Sequence, residues 1–495
     1  MANQIWIGIS VLLVCLILSI LIWFNFKKKR FHLTLWLVLL LGVLLRIVAS
    51  TDSQLHLWDE RYHALVAKNL IEHPLTPTLH ENLILEHDDA NWVGGHIWTA
   101  KPIFPLWIMA GSIQFFGNNL LAIRLPSVIL SLLAIWLTFL IGKKLFNERV
   151  GLIAAYLHAI NGLIIELTGG RVSSDHVEMC FIVLVELGIV FALNDLFKQP
   201  QEKKRNWLFF AGLVTGLAFI SKWYPALLVF PVWLIGYSLS DDFNWKSLLK
   251  KTSVFFLGLA LTALPWTLYM LFNYPDEMFR ILFNALFAYS ETVEDHSAPF
   301  YYYLYKLPII FGEAIYFVLG FFIYRQYKVN SKTMWIILAW IGIPLLIFSL
   351  AETKRFTYIL IAAPAFFIAT AYLINYLLEL LPQKKSKVWI GLALLVLILL
   401  PWRYAIERTK MFGNNEELTL FYKMEKTEWS RLNDKTIVFG TDDYIEMMFH
   451  TDVHAAYRKM PNLELYNELL ADGFVLLTID ELKFIPLSTE RINNF

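Results

Sequence analysis

Residues 5–30 read IWIGISVLLVCLILSILIWFNFKKKR, an apolar run from Ile5 to Phe26 closed by four cations, Lys27 to Arg30. A helix needs about 20 predominantly apolar residues to cross the hydrocarbon core of a bilayer, and this run is long enough. Basic residues hold the end that carries them on the cytoplasmic side, so the first span is expected to begin outside. The four residues before it, MANQ, lack the basic region of a secretory signal peptide.

Blocks of the same kind recur at about 32–50, 120–141, 150–168, 176–197, 206–221, 223–239, 252–272, 305–324, 333–350, 356–380 and 387–402. The chain is therefore read as an all-α polytopic membrane protein with about twelve transmembrane helices. Its 495 residues are 57% hydrophobic, above the roughly 45–50% of soluble domains. A net charge of +1 gives no bulk field for nucleic acid, and no nucleic-acid partner is expected. Cys15 and Cys180 both lie in apolar runs and read as buried thiols, with no disulfide framework or zinc-type spacing.

The cations sort the loops. Lys27–Arg30, Lys143-Lys144 with Arg149, Lys198 to Arg205, Lys246 to Lys251, Arg325 to Lys332 and Lys384 to Lys387 occupy alternate connections. One orientation places all six inside, which the positive-inside rule requires. Outside then lie 51–119, 169–175, the turn at Lys222, 273–304, 351–355 and the tail from Arg403. The short apolar segment 103–116 reads as an interfacial helix. The tail is polar, with strand-like runs Thr436–Gly440 and Phe474–Ile479 around a helix-like stretch. The expected division is a transmembrane catalytic domain over 1–402, with 51–119 as its periplasmic catalytic loop, and a small periplasmic α/β domain over 403–495.

The outer loops carry the reactive groups. From Trp58 the pattern turns helical, with Trp58, Tyr62, Leu65, Val66 and Leu70 on one stripe and Asp59, Arg61, His63, Lys68 and Glu72 elsewhere. That predicts a helix lying on the membrane surface. Asp59 stands near its N-terminus, where the dipole favours an ionised carboxylate, and His63 one turn on is within reach of it. The alternative is an acidic first turn that only stabilises the helix. In Ala100-Lys101-Pro102-Ile103-Phe104-Pro105, proline suits a helix start, and Lys101 beside it suits either a phosphate or lipid headgroups.

Asp175 follows Gly169-Gly170-Arg171 and reads as a second acidic group or, like Ser174, as a helix cap. Lys222 marks a tight turn between two apolar runs. Beyond the eighth span stand Glu291, Glu294, Asp295, His296 and the aromatic run Phe300 to Tyr303, suited to a membrane interface or to a sugar. Lys354 and Arg355 break the positive-inside trend, which points to an anionic partner. A carboxylate pair with several cations at headgroup depth suits a reaction on a lipid phosphate.

Six of the twelve histidines, His56, His63, His73, His80, His87 and His96, crowd the first outer loop. With Asp88-Asp89 they could bind a divalent metal, but their spacing fits no recognised ligand motif, so no metal site and no required cofactor are expected.

In their order these motifs resemble the polytopic glycosyltransferases of the protein O-mannosyltransferase and lipid A aminoarabinose transferase superfamily, the GT-C fold. The matching features run over roughly residues 30–400. They are Asp59-Glu60, Lys101-Pro102, Ala122-Ile123-Arg124-Leu125-Pro126-Ser127, Gly142 to Phe146, Arg171 with Asp175, Gly216 to Lys222, Pro265-Trp266, Pro299 to Tyr303, and Lys354 with Tyr358 and Pro364. In the aminoarabinose transferases the arginine stands one residue further from the acidic pair than Arg61 does here.

The resemblance implies a sugar carried on a polyprenyl phosphate and transferred, with inversion, to a lipid, polysaccharide or protein acceptor on the outer face of the bacterial inner membrane. It implies Asp59 as general base, with Glu60 and Asp175 in support. It implies Lys101, Lys354 and Tyr358 around the donor phosphate; Lys222, Arg355 and Arg61 are assigned to the same phosphate, and His63, His296, Tyr302 and Tyr303 to the acceptor or sugar. A transporter or lipid flippase is the other class considered. It predicts ionisable residues deep in the spans and paired broken helices.

Overall fold

The computed structural model describes residues 2–85, 95–172, 175–198, 205–287, 290, 292, 296–329, 331–381, 387–413 and 417–493. His87, Asp88, Asp89, Ser174, Glu291, Glu294, Asp295 and the lysines at 384 and 385 lie outside the described residues.

Among the described residues eight helices are long and apolar enough to cross a membrane: Gln4–Lys27, Phe31–Ala49, Leu120–Leu145, Asp175–Leu196, Trp245–Asn273, Lys332–Leu350, Phe356–Leu380 and Lys387–Thr409. Two bent pairs, Glu148–Ala159 with Gly162–Thr168 (58°) and Tyr302–Phe311 with Ile315–Lys328 (94°), raise the number to ten if each is one span. The expected twelve thus become eight to ten. Hydropathy registers an apolar block but not a break within it. Asn161 accepts from the Ile164 N–H at 3.1 Å and starts a new helix, and Gly312, at φ +102°, turns the chain in the other pair. The blocks at 206–221 and 223–239 form the shorter helices Trp207–Lys222 and Tyr224–Ser238. A 16-residue helix rises about 24 Å, less than the roughly 30 Å core.

The chain divides into two compact units. The first comprises Met1–Thr51, Ser127–Arg171 and Asp175–Gly413. It is a helix bundle, and small residues let its helices approach. A Cβ at Gly212 would meet the Phe255 carbonyl oxygen at 2.0 Å, and one at Gly216 the Leu259 oxygen at 2.4 Å. This Gly-x-x-x-Gly face seats the Trp207–Lys222 helix against Trp245–Asn273, and Thr262 Oγ1 donates across to the Leu213 carbonyl at 2.8 Å. Some polar groups are buried here with partners from neighbouring helices. Arg46, fully buried, donates to Ser131 Oγ at 2.5 Å and to the Ala159 carbonyl at 2.9 Å.

The second unit comprises Asp52–Pro126, Val172–Ser174 and Asn414–Phe495. Its sheet has the order β2-β1-β3-β4, with β1 Thr436–Phe439, β2 Ala455–Tyr457, β3 Val475–Asp480 and β4 Lys483–Pro486. β1 pairs in parallel with β2 and β3, while β3 and β4 are antiparallel. The two strands read from the sequence are β1 and β3. β2 has three residues, too few to show an alternation.

The boundary drawn from hydropathy at 402 grouped the first loop with the spans, whereas packing groups that loop with the tail. The Tyr457 hydroxyl donates to the Asn82 carbonyl at 3.0 Å and accepts from the Ile84 N–H at 2.8 Å. His80 stacks on both Tyr457 and Tyr444. The segment 103–116 is a helix, Phe104–Phe116, with Pro105 in its first turn. The Asp59–Asn69 helix also forms, but not as the one-striped surface helix expected. Glu60 and His63 are buried as fully as Val66, and Trp58 is 76% exposed. Partners supplied from elsewhere in the unit bury Glu60 and His63 along with Leu65, Val66 and Leu70, so both faces of the helix are packed.

Candidate active site

The residues singled out by sequence fall into both units. Asp59, Glu60, Arg61, His63 and Lys101 belong to the second; Asp175, Lys222, His296, Tyr302, Tyr303, Lys354, Arg355 and Tyr358 belong to the first.

In the second unit Asp59 opens its helix, and Lys101 Nζ lies 3.2 Å from Asp59 Oδ2. Both side chains remain partly exposed, at 26% and 17%. The next residue is treated differently. Glu60 is fully buried, and both carboxylate oxygens accept from Arg124, Nε to Oε1 at 2.7 Å and Nη2 to Oε2 at 2.9 Å. The same guanidinium donates to the Asp52 carbonyl at 2.6 Å and the Gln54 carbonyl at 2.7 Å. Glu60 further accepts from the His56 N–H at 2.8 Å, and His56 Nε2 lies 3.3 Å from Asp52. A planar fork matched to a carboxylate thus locks the loop that delivers Asp59. Arg124 was legible only as part of the ordered motif set; its role as a clamp was missed.

The tail holds the rest of this helix. Arg61 reaches Glu446 at 3.4 Å and the Asp442 carbonyl at 3.3 Å, so it faces the tail. Lys68 Nζ donates to the carbonyls of Met448 at 2.7 Å and Thr451 at 3.0 Å, at the C-terminal end of the Tyr444–His450 helix. Burial raises the Glu446 carboxyl to about 7, with Arg61 opposing. The Tyr422 hydroxyl accepts from the Leu55 N–H at 3.0 Å, which leaves its proton for His450 Nε2 at 2.8 Å. His450 is accordingly neutral, and burial lowers it to about 4. His63 is buried, edge-on to Trp98. Among the described residues no group of three or more histidines, cysteines and carboxylates could hold a metal ion.

In the first unit Lys222 ends its helix, where the dipole favours a cation, and pairs with the fully buried Glu178. Its ammonium lies 4.8 Å from the centre of the Tyr358 ring. Trp223 turns the chain at once, at φ +59°, a conformation uncommon outside glycine. Glu178 was missed, and its signal was a carboxylate inside an apolar run.

Lys354 donates to the Ala351 carbonyl at the end of the Lys332–Leu350 helix, and its N–H donates to the His296 carbonyl at 2.9 Å. The buried Tyr303 donates to the Arg355 carbonyl at 3.0 Å, with Tyr302 edge-on beside it. Asp175, buried, begins the Asp175–Leu196 helix, and its carboxylate accepts from the N–H of the next residue, His176. The structure therefore brings together Lys222 with Tyr358, and His296, Lys354, Arg355 and Tyr303 along one stretch of backbone contacts.

Residues 100–271 match the family described as dolichyl-phosphate-mannose-protein mannosyltransferase. The chain is 27% identical over 285 residues to undecaprenyl phosphate-alpha-4-amino-4-deoxy-L-arabinose arabinosyl transferase 1 of Pseudomonas fluorescens, covering 54% of this chain and 48% of that protein. It is 28% identical over 285 residues to the corresponding transferase of Erwinia tasmaniensis, covering 55% and 50%. The chain spans about half the length of these curated relatives.

Among solved structures it is similar to ArnT from Cupriavidus metallidurans bound to undecaprenyl phosphate, with a TM-score of 0.61 at 13% identity over 92% of this chain and 93% of that one. It is also similar to the oligosaccharyltransferase of Archaeoglobus fulgidus, with a TM-score of 0.62 at 15% identity over 92% and 69%. The chain has the GT-C fold of these structures and is a multi-pass membrane protein.

Proposed function

We propose that this chain is a glycosyltransferase that moves a sugar from a polyprenyl phosphate to a hydroxyl-bearing envelope acceptor, a lipid, a polysaccharide or a protein, at the outer face of the bacterial inner membrane. The observation that carries the reading is the Asp59–Lys101 pair, partly exposed at a helix N-terminus and held from behind by the Glu60–Arg124 clamp. Similarity to transferases named for an undecaprenyl-phosphate donor supports the donor class.

In this reading the Asp59 carboxylate takes the proton of the acceptor hydroxyl while that oxygen attacks the anomeric carbon. The bond from that carbon to the phosphate oxygen breaks, and its electron pair leaves with the lipid phosphate. A single displacement inverts the anomeric centre. Lys101 neutralises the departing charge, and its move from Asp59 to phosphate frees the carboxylate to act as a base. Lys222, Lys354, Arg355 and Tyr358 are assigned to the donor phosphate; Asp175 assists the acceptor. No cofactor enters these steps, and chelation with EDTA is expected to leave the rate unchanged.

The test is transfer of radiolabelled sugar from a panel of polyprenyl-phosphate donors to envelope extract by the purified protein. Asp59→Asn is expected to lower the rate by about 10²–10⁴-fold, the range for loss of a general base, with insertion intact. A fully active, well-folded Asp59→Asn protein would remove Asp59 from this role. The second reading, a lipid flippase, draws on Arg46, His158 and Glu186, all fully buried in the bundle, and on its two bent helix pairs. Donor movement across liposomes without transfer to any acceptor would favour it.

A further inference from the structure

We propose that the bundle carries a binding groove for an anionic phospholipid at the end where its basic connections lie. The groove, about 450 Å³, runs between the Ala2–Lys27, Glu148–Ala159, Ala363–Leu380 and Lys387–Thr409 helices. Its walls are apolar, among them Ile20, Phe26, Leu378 and Leu394. It opens sideways, because Ile20, Trp23 and Leu395 on its rim are 58%, 41% and 52% exposed. The Tyr156 hydroxyl on the wall already accepts from Trp402 Nε1 at 2.8 Å and lies 3.3 Å from Ser19 Oγ. With its polar spots satisfied internally, the groove suits a hydrocarbon chain.

Charge at the mouth selects the headgroup. Lys27 Nζ lies 4.7 Å from the centre of the Trp23 ring, and the Arg149 guanidinium 5.3 Å from that of Phe26. Both rings line the groove, so both cations lie against residues of its wall. Lys28, Lys29 and Arg30 follow in sequence. Of the carboxylates nearby, Glu148 is held by Lys143 at 2.5 Å, and Glu379 reaches Arg149 only at 3.9 Å. The mouth keeps a positive surplus, and a basic pocket between spans is what recognises an anionic lipid headgroup. One acyl chain would occupy the groove, with the phosphate against Lys27 and Arg149.

A small residue marks the space. A Cβ added at Gly391, on the wall, would meet nothing within 4 Å, so a larger side chain there fills the groove without displacing backbone.

The test is native mass spectrometry of the full chain in detergent, titrated with phosphatidylglycerol and with phosphatidylcholine of the same chains. Wild type should retain phosphatidylglycerol about thirtyfold more strongly, the combined effect of two surface cations. Lys27→Gln with Arg149→Gln should bring it down to the phosphatidylcholine level, and Gly391→Leu should weaken both lipids. Equal retention of the two lipids by wild type overturns the proposal, as does an unchanged preference in the double variant. The wild-type comparison decides even if a variant fails to fold, and it is independent of the transfer reading.

Discussion

In the loop-and-tail unit Lys101 pairs with Asp59, and in the bundle Lys222 pairs with Glu178. The chemical groups are nearly the same, but the surroundings differ. Asp59 keeps 26% of its side chain exposed, while Glu178 keeps none. Solvent and substrate can reach the first carboxylate, so it can exchange its lysine for an acceptor's proton. The second fixes a cation in one place. Glu60 makes the same contrast within one turn of helix, since its neighbour is available and it is locked by Arg124. Proton transfer needs a carboxylate that can be approached, and positioning needs one that cannot.

The sharpest way to break this contrast is to remove the buried clamp. Arg124→Leu should take away the buried ion-pair partner of Glu60 and lower stability by about 3–5 kcal/mol, measured by thermal or denaturant unfolding in detergent. An unchanged midpoint would mean that Glu60 is not held as described.

Glu446 tests burial with a poorer partner, Arg61 at 3.4 Å. Its carboxyl is raised from 4.5 to about 7, so between those pH values the folded protein keeps a proton that the unfolded chain releases. The resulting stability is fully present below about pH 4.5 and is lost as pH rises through 7. Glu446→Gln should flatten this dependence, with a difference from wild type of up to about 3 kcal/mol across the window. Parallel stability–pH curves for the two proteins would contradict the burial argument.

Glu178→Gln, which keeps the shape but removes the charge opposite Lys222, should cost about 1–3 kcal/mol, again read as a shifted unfolding midpoint. The smallest stability effect belongs to the residue with the largest catalytic one. Asp59→Asn should change stability by less than about 1 kcal/mol, as for exposed ion pairs, while transfer is lost. A strongly destabilised Asp59→Asn protein would make Asp59 a structural residue and erase the contrast.

Much of the fold was legible because each span carries its own signal. The apolar blocks at 32–50, 176–197 and 333–350 reappear as Phe31–Ala49, Asp175–Leu196 and Lys332–Leu350. Breaks were less legible, because the bend at Gly312 depends on one backbone angle inside an otherwise apolar stretch. Of the candidate site, Asp59 and Lys101 were found by residue type and position, and the structure pairs them. Arg61 was read as a phosphate ligand and is directed to Glu446, a residue 385 positions along the chain on a short helix of the tail.

The sequence by itself determined that this protein crosses a membrane many times, since hydrophobic length is local and additive. It also marked Asp59, Lys101 and Lys222 as charged groups at the ends of apolar or helical runs. Only the tertiary structure decided which charges meet. Glu60 finds Arg124 across 64 residues, and Lys68 finds the carbonyls of Met448 and Thr451 across 380 and 383. Such pairings have no period in the chain. They follow from the packing of whole elements, and burial then settles which carboxylate is locked and which can react.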